Sequence, residues 1–297
     1  MMYRNNNLNK IQTVSGLTYF LYILFIFEFF THLSARYVVI GYIRPTLTLV
    51  ILITFLLITQ AKIIGERPKN PIISSLNALI AYIVISLPLV TYVGSVINQN
   101  LELFIKVIVF FYFTAFIIDT HKRLIIFLWV YIGTQLFRIM EPLYLHVVYG
   151  YWGATTNAGG GEFANRLSGA PADVINPNEL GFVIATIIPF LHYLVLPMKG
   201  KARLLYFILI PLVGYALILT MSRGAFIALL VVFWMIFKES NKKLILSSFL
   251  ILLAFAGWSN MTDFQKDRYF SLVDSTAQNS KTKEGRINDM KIQRLHY

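Results

Sequence analysis

The chain has no cysteine among its 297 residues. That excludes disulfides, thiolate metal sites and a cysteine nucleophile, and it leaves the compartment open. Charge is scarce as well. Only 13% of residues are Asp, Glu, Lys or Arg, whereas a soluble domain carries about 25%. Acidic residues are the rarer sign, 14 against 26 basic ones. The resulting net charge of +12 would suit nucleic acid if it formed one patch. Instead the basic residues cluster in short loops between apolar segments, so no nucleic-acid partner is expected. No internal repeat is visible, and no soluble domain separates the apolar segments.

What is abundant is hydrocarbon. Hydrophobic residues make up 57% of the chain, and the mean hydropathy is +0.65. A spanning helix needs about 20 apolar residues. Nine segments approach that length: 14–33, 45–61, 72–97, 101–118, 124–148, 177–197, 204–221, 223–237 and 244–258. The expected fold is therefore all-α, a polytopic integral membrane helix bundle of about nine transmembrane helices. The transmembrane domain covers 1–258 and includes a loop at 151–176. A polar tail covers 259–297. Arg4 and Lys10 before the first apolar stretch give it the look of a signal peptide. The stretch is too long for that and lacks a small-x-small cleavage site, so it reads as a retained first span.

Lys and Arg in alternate short loops set the orientation. Arg4, Lys10, Lys62, Arg67, Lys69, Lys122, Arg123, Lys199, Lys201, Arg203, Lys238, Lys242 and Lys243 fall on one side, which is thirteen. The other side has four before the tail: Arg36, Arg44, Arg166 and Arg223. The richer side is cytoplasmic, which puts the N-terminus inside and the tail outside, although the tail adds seven Lys and Arg to the outer count.

Ionisable residues inside spans mark function more often than not. With this orientation Glu28, Lys106, Arg138, Glu141 and Arg223 all fall toward the outer face, and His192 toward the inner one. Arg138 and Glu141 are three residues apart and share a helix face, as do Glu28 and His32 four apart. Pro142 is expected to kink or end its helix. The set describes either an outward-facing polar cavity or interhelical pairs and snorkelling ends, the simpler reading for Lys106. The loop "YWGATTNAGGGEFANRLSGAPADVIN" (151–176) is either low-complexity linker or a binding loop. The following "INPNELGFV" (175–183) carries a capping-box pattern at Asn176 and Glu179, with proline at the first helical position. It is either a well-made helix start or part of a polar lid with the Arg166 loop, and a helix N-terminus favours anions.

From Leu204 to Phe237 the only ionised side chain is Arg223. Two crossings in that stretch leave about seventeen residues per pass, the short end of the range. The turn is thus held near the outer hydrocarbon boundary. Small neighbours such as Ser222 and Gly224 let a ligand approach, and a fixed guanidinium fork suits phosphate. Snorkelling to lipid headgroups is the alternative.

Three stretches carry a family resemblance. "MSRGAFIALLVVF" (221–233), "RLSGAPADVINPNELGFV" (166–183) and "EGRINDM" (284–290) resemble, in order, elements of the bacterial O-antigen ligase and polymerase family. The resemblance covers about residues 120–290. It implies transfer of a glycan from a polyprenyl-pyrophosphate carrier to a hydroxyl acceptor, at the outer face of a bacterial cytoplasmic (inner) membrane. The acceptor would be lipid A-core or another glycan, and no nucleotide, metal or other cofactor is needed. Arg223 and Arg286 match the family's pyrophosphate-binding arginines, and Arg166 matches a loop arginine more loosely. Glu28, Arg138, Glu141 and Ser222 would support the cavity. The family's basic histidine lies well beyond the Gly-Arg element. Here His296 follows too closely to be assigned that role, so the catalytic base is left open and the chain is expected to be a truncated, incomplete member. A transporter or flippase of lipid-linked glycans, or a non-catalytic membrane remnant, is the alternative.

Overall fold

The structure is a computed structural model. It describes residues 13–66, 70–91, 93–153, 166–240 and 243. All regular elements among these residues are helical. In chain order they begin with α1 (Gly16–Thr31), α2 (Leu33–Arg36), α3 (Val38–Ile43), α4 (Pro45–Thr59) and α5 (Ala61–Gly65). There follow α6 (Pro71–Ser86), α7 (Val93–Ser95), α8 (Glu102–Ile117) and α9 (His121–Tyr149). The last three are α10 (Pro177–Phe190), α11 (Lys201–Thr220) and α12 (Arg223–Glu239).

Five helical stretches are long and apolar enough to cross a membrane: Val38–Thr59, Pro71–Leu89, His121–Tyr149, Pro177–Val195 and Lys201–Thr220. Each corresponds to an expected span. The remainder differ for local reasons. The first expected span stops short because His32 adopts φ +52° and ends α1 at Thr31, after 16 residues. That break also ends the four-residue helical register expected to pair Glu28 with His32. The expected span 72–97 is not one helix. Pro88 sits in a 3-10 turn (Leu87–Leu89), the described residues after it are not helical at 90–91, and a short helix (Val93–Ser95) is followed by a π-helical stretch (Val96–Leu101). The fourth span is a shorter apolar helix, Phe104–Ile117, and α12 has 17 residues. The ninth expected span and the polar tail lie outside the described residues.

The chain divides into two compact units. The first takes the described residues of 1–29 and 36–131. Its core is aromatic. The Tyr22 ring stacks on Phe127 at 5.9 Å and meets Phe113 edge-on at 6.5 Å, and the Tyr22 hydroxyl bonds Thr114 Oγ1 at 2.7 Å. Polar bonds close one end. Asp119 accepts from the Val14 N–H at 2.8 Å, and Arg123 bonds both Asp119 (2.9 Å) and the Val14 carbonyl (2.6 Å). Gln60 accepts from the Ser15 N–H and donates to Thr18. The start of α1, the end of α4 and the α8–α9 turn therefore meet at one end of this unit. Much of α4 and α6 presents Leu47, Ile51, Phe55, Ile58, Ile72, Leu79, Tyr82 and Ile85 outward. In water such apolar faces would drive association, whereas a hydrocarbon solvent suits them.

The second unit takes residues 30–35 and the described part of 132–297. On α10 and its π-helical continuation, Leu180, Ile184, Ile187 and Leu191 are buried at helical spacing. Gly181 lets α12 come close: a Cβ there would lie 2.7 Å from the Ala225 Cβ and 2.9 Å from the Ser222 Cβ. Of the two outcomes expected at Pro142, a kink or an end, the end does not occur: α9 runs on to Tyr149, as the expected span 124–148 does. The lost N–H and the ring together cost about 3 kcal/mol in a helix interior. Burial of Ile139, Pro142 and Leu143 on one stretch offsets part of that cost.

Candidate functional site

The most distinctive polar geometry lies where α11 turns into α12. Two residues make the connection, Met221 and Ser222. Met221 takes the left-handed conformation, φ +49°, which is uncommon for a residue with a side chain. The Thr220 hydroxyl donates to the Leu217 carbonyl (2.7 Å) and accepts from the Ser222 N–H (3.3 Å). Ser222, buried, caps α12 by accepting from the Ala225 N–H at 3.3 Å. Arg223 is the first helical residue beyond that cap. The tight hairpin read from the sequence is present, with Arg223 at its tip.

Residues 166–176 dock on the same turn. The last carbonyls of a helix have no helical donors of their own. Here the Leu167 N–H donates to the Leu219 carbonyl at 2.9 Å, and Arg166 Nε donates to the Thr220 carbonyl at 2.9 Å. A second Arg166 nitrogen reaches Asn178 Oδ1 at 2.8 Å. Arg166 and Arg223, separated by 57 positions in the chain, thus both stand at one helix-to-helix turn. The turn also receives a cation at the negative end of the α11 dipole, which is a favourable arrangement. Arg223 stands at the positive end of α12, where a cation raises the local potential further, and α12 has no acidic residue in its first turn.

The described part of the loop is not linker. Leu167, Ser168, Ala170 and Asp173 are buried. Gly169 bonds Ile175 (2.8–3.0 Å separations close the Ala170–Ile175 turn) and has no room for a side chain against Asp173 and Ile175. Asp173 reaches α9, where its two oxygens accept from Arg138 Nε and NH2 at 2.6 and 2.9 Å. Gln135 touches the same guanidinium at 3.5 Å, and the Phe30 ring lies 5.7 Å from it. The expected partner of Arg138 was Glu141, one turn along α9. The bidentate partner is Asp173, because the folded loop delivers a carboxylate square to the guanidinium fork. Sequence reasoning missed it, although Asp173 is the only carboxylate between Glu162 and Glu179 and a buried arginine needs one.

The capping box at the start of α10 is formed as expected. Asn176 Oδ1 accepts from the Asn178 and Glu179 N–H groups (2.9 and 3.0 Å), and Glu179 accepts from the Asn176 N–H (2.9 Å). Those donors are thereby taken by the protein's own side chain. The well-made helix start is therefore present, and it meets the Arg166 loop through Asn178, which holds Arg166. Of the other expected residues, Glu141 belongs to the second unit on α9, while Glu28, buried on α1, and Lys106, on α8, belong to the first. Arg286, His296 and residues 154–165 lie outside the described residues. Among the described residues no group of three or more His, Asp or Glu is arranged to hold a metal ion.

The arrangement can present fixed N–H donors and two positive charges to an anion at the end of a helix pair. Compared with family models, curated proteins and solved structures, the chain has no match in any of the three.

Proposed function

We propose that this chain is a multi-pass membrane protein that binds the pyrophosphate of a polyprenyl-linked glycan at the α11–α12 turn. In the O-antigen ligase and polymerase manner, it would pass the glycan to a hydroxyl acceptor at the outer face of a bacterial cytoplasmic membrane. The observation that carries the reading is the convergence of Arg166 and Arg223 on one buried turn. Held by Thr220 and Asn178, Arg166 spends little entropy on meeting a ligand. Arg223 adds a planar fork suited to phosphate oxygens. Charge builds on the pyrophosphate as the sugar leaves, and fixed cations stabilise that charge without reorganising. Arg286 is proposed to join them. The resemblance over 166–183 and 221–233 falls on the two segments that build this turn.

The test is binding of a polyprenyl pyrophosphate to the full chain in nanodiscs, beside a phosphate-free polyprenol. A charged hydrogen bond is worth about 1.5–3 kcal/mol, so Arg223→Ala should weaken pyrophosphate binding about ten- to a hundredfold, with Arg223→Lys in between. Unchanged affinity in Arg223→Ala would make Arg223 a headgroup-snorkelling residue. A transporter or flippase of lipid-linked glycans is the second reading. It is favoured by the interrupted stretch from α6 to α8, since discontinuous helices are common in transporters. Carrier flipping by the purified chain in vesicles, without glycan transfer, would select it.

A further inference from the structure

The α10–α12 group has a second polar end, away from the α11–α12 turn. There the π-helical stretch Leu191–Val195 is held from two sides by successive residues. His192 Nδ1 lies 3.1 Å from the Tyr206 hydroxyl on α11, and the Tyr193 hydroxyl donates to Glu239 Oε2 on α12 at 2.9 Å. Arg203 Nε closes the turn into α11 by donating to the Leu196 and Met198 carbonyls at 3.2 and 3.1 Å. Both α11 and α12 pack on α10, and they pack little on each other. They thus leave a cleft whose floor is the π-helical stretch, where Tyr193 stays half exposed.

Cations crowd this end. Lys199, Lys201 and Arg203 lie on the α11 side and Lys238 on the α12 side, all exposed. Lys243 Nζ stands 5.8 Å over the Phe237 ring. None of these cations is in an ion pair among the described residues, whereas Arg123 has Asp119 and Arg138 has Asp173. The one carboxylate described here, Glu239, is held by Tyr193. Five cations less one carboxylate leave a surplus of four positive charges. Like charges gathered by helix packing repel, and an anion between them relieves that repulsion. Toward the helix middles the surface turns apolar: Leu204, Trp234 and Met235 are exposed. Trp234 lies one turn before Lys238, on the same helix face. Charge at the end and hydrocarbon along the walls match a lipid better than a free anion. The apolar segment 244–258 follows α12 but contains no Asp or Glu, so it cannot supply the negative charge.

We propose that this cleft binds an anionic phospholipid of the surrounding bilayer, such as phosphatidylglycerol. Its phosphate sits between Lys201 and Arg203 on one wall and Lys238 on the other, and its acyl chains run along Leu204 and Trp234. Basic clusters at a membrane surface attract anionic lipid in this way. The site rests on the multi-pass membrane part of the reading above and owes nothing to glycan transfer. It lies at the opposite end of α12 from Arg223. The bound lipid bridges α11 and α12 where the described residues join them only through the π-helical stretch.

The experiment is native mass spectrometry of the full chain in detergent, with phosphatidylglycerol or phosphatidylcholine added. The wild type should retain phosphatidylglycerol in preference, and inorganic phosphate should not displace it. A charge near the surface changes association about fivefold, so Lys201→Gln with Lys238→Gln should weaken phosphatidylglycerol about thirtyfold. Lys201→Arg with Lys238→Arg should keep it. Lys62→Gln with Lys122→Gln removes the same charge from other exposed sites and should change retention by less than about twofold. Glu239→Gln leaves Tyr193 an oxygen to bond and removes a repelling charge, so retention should rise about fivefold, a gain that misfolding cannot give. Equal retention of the two lipids, or equal loss in the two lysine pairs, overturns the site. Indifference to Lys201→Gln with Lys238→Gln also overturns it, and leaves the cleft to an uncharged occupant such as residues 244–258. Displacement by inorganic phosphate overturns the lipid assignment in favour of a free anion. Loss of polyprenyl-pyrophosphate binding with phosphatidylglycerol retained sinks the transferase reading alone. A chain that stays in solution without detergent sinks both.

Discussion

At the scale of single residues, the Arg138–Asp173 pair is the sharpest case. Both side chains are almost wholly buried, and the geometry is bidentate. A buried ion pair is weak evidence of stability in itself, but removing one partner leaves the other charge stranded, which costs about 3–5 kcal/mol. Asp173→Asn is therefore expected to lower thermal stability strongly in detergent, read as the fraction of monodisperse protein surviving a heating series. The double variant Arg138→Met with Asp173→Leu should lose much less, because neither charge remains. Wild-type stability in Asp173→Asn would mean that the pair contributes nothing to holding the loop. Arg166 differs in kind. Its bonds reach a helix-end carbonyl and an amide oxygen, so its position is set by the fold of the turn.

At the scale of elements, the packing of α10 on α12 depends on Gly181. A Cβ at that position would press on the Ala225 and Ser222 Cβ atoms, and overpacking of a tight contact costs about 1–3 kcal/mol. Gly181→Ala should destabilise the purified protein by that order. Adding Ala225→Gly should restore part of the loss, since it clears the nearer of the two atoms. An additive double variant, with no rescue, would show that α10 and α12 do not meet there. The same contact explains why Ser222 is buried and why Arg223 follows a capped, well-defined helix start. The hairpin, the cap and the crossing act together to set where α12, and with it Arg223, begins.

At the scale of the whole molecule, the question is which way the helices cross. The thirteen-to-four Lys and Arg bias between alternate loops favours a cytoplasmic N-terminus. Helix α10 with its continuation spans Pro177–Val195, 19 residues, or about 28 Å at 1.5 Å per residue, close to the ~30 Å of hydrocarbon in a bilayer. Its two ends should face opposite sides. The chain has no cysteine, so single cysteines report cleanly. An impermeant thiol reagent on intact cells should label Val174→Cys and spare Met198→Cys. The reverse pattern would turn the molecule over and remove the proposed site from the outer face. Labelling of both positions would deny that α10 crosses at all.

How much of this was legible beforehand follows from how local each feature is. The helical class, the apolar segments, the capping box at Asn176 and Glu179 and the hairpin at Arg223 are written in runs of neighbouring residues. Hydropathy, helix-start chemistry and segment length act over a few turns at most, and so the sequence by itself determined them. The interruption at Pro88 and the left-handed His32 are also local, yet apolar composition masked them, because a broken apolar helix and an unbroken one have the same hydropathy. What only the tertiary structure decided is which distant groups meet. A buried guanidinium requires a carboxylate, but either Glu141 or Asp173 would satisfy that requirement on paper. The folded loop, closed at Gly169, delivers Asp173. The Thr220 carbonyl finds Arg166, and His146 finds the Tyr151 carbonyl, for the same reason. Hydrogen bonding demands a partner without naming it, and the name comes from the path of the chain.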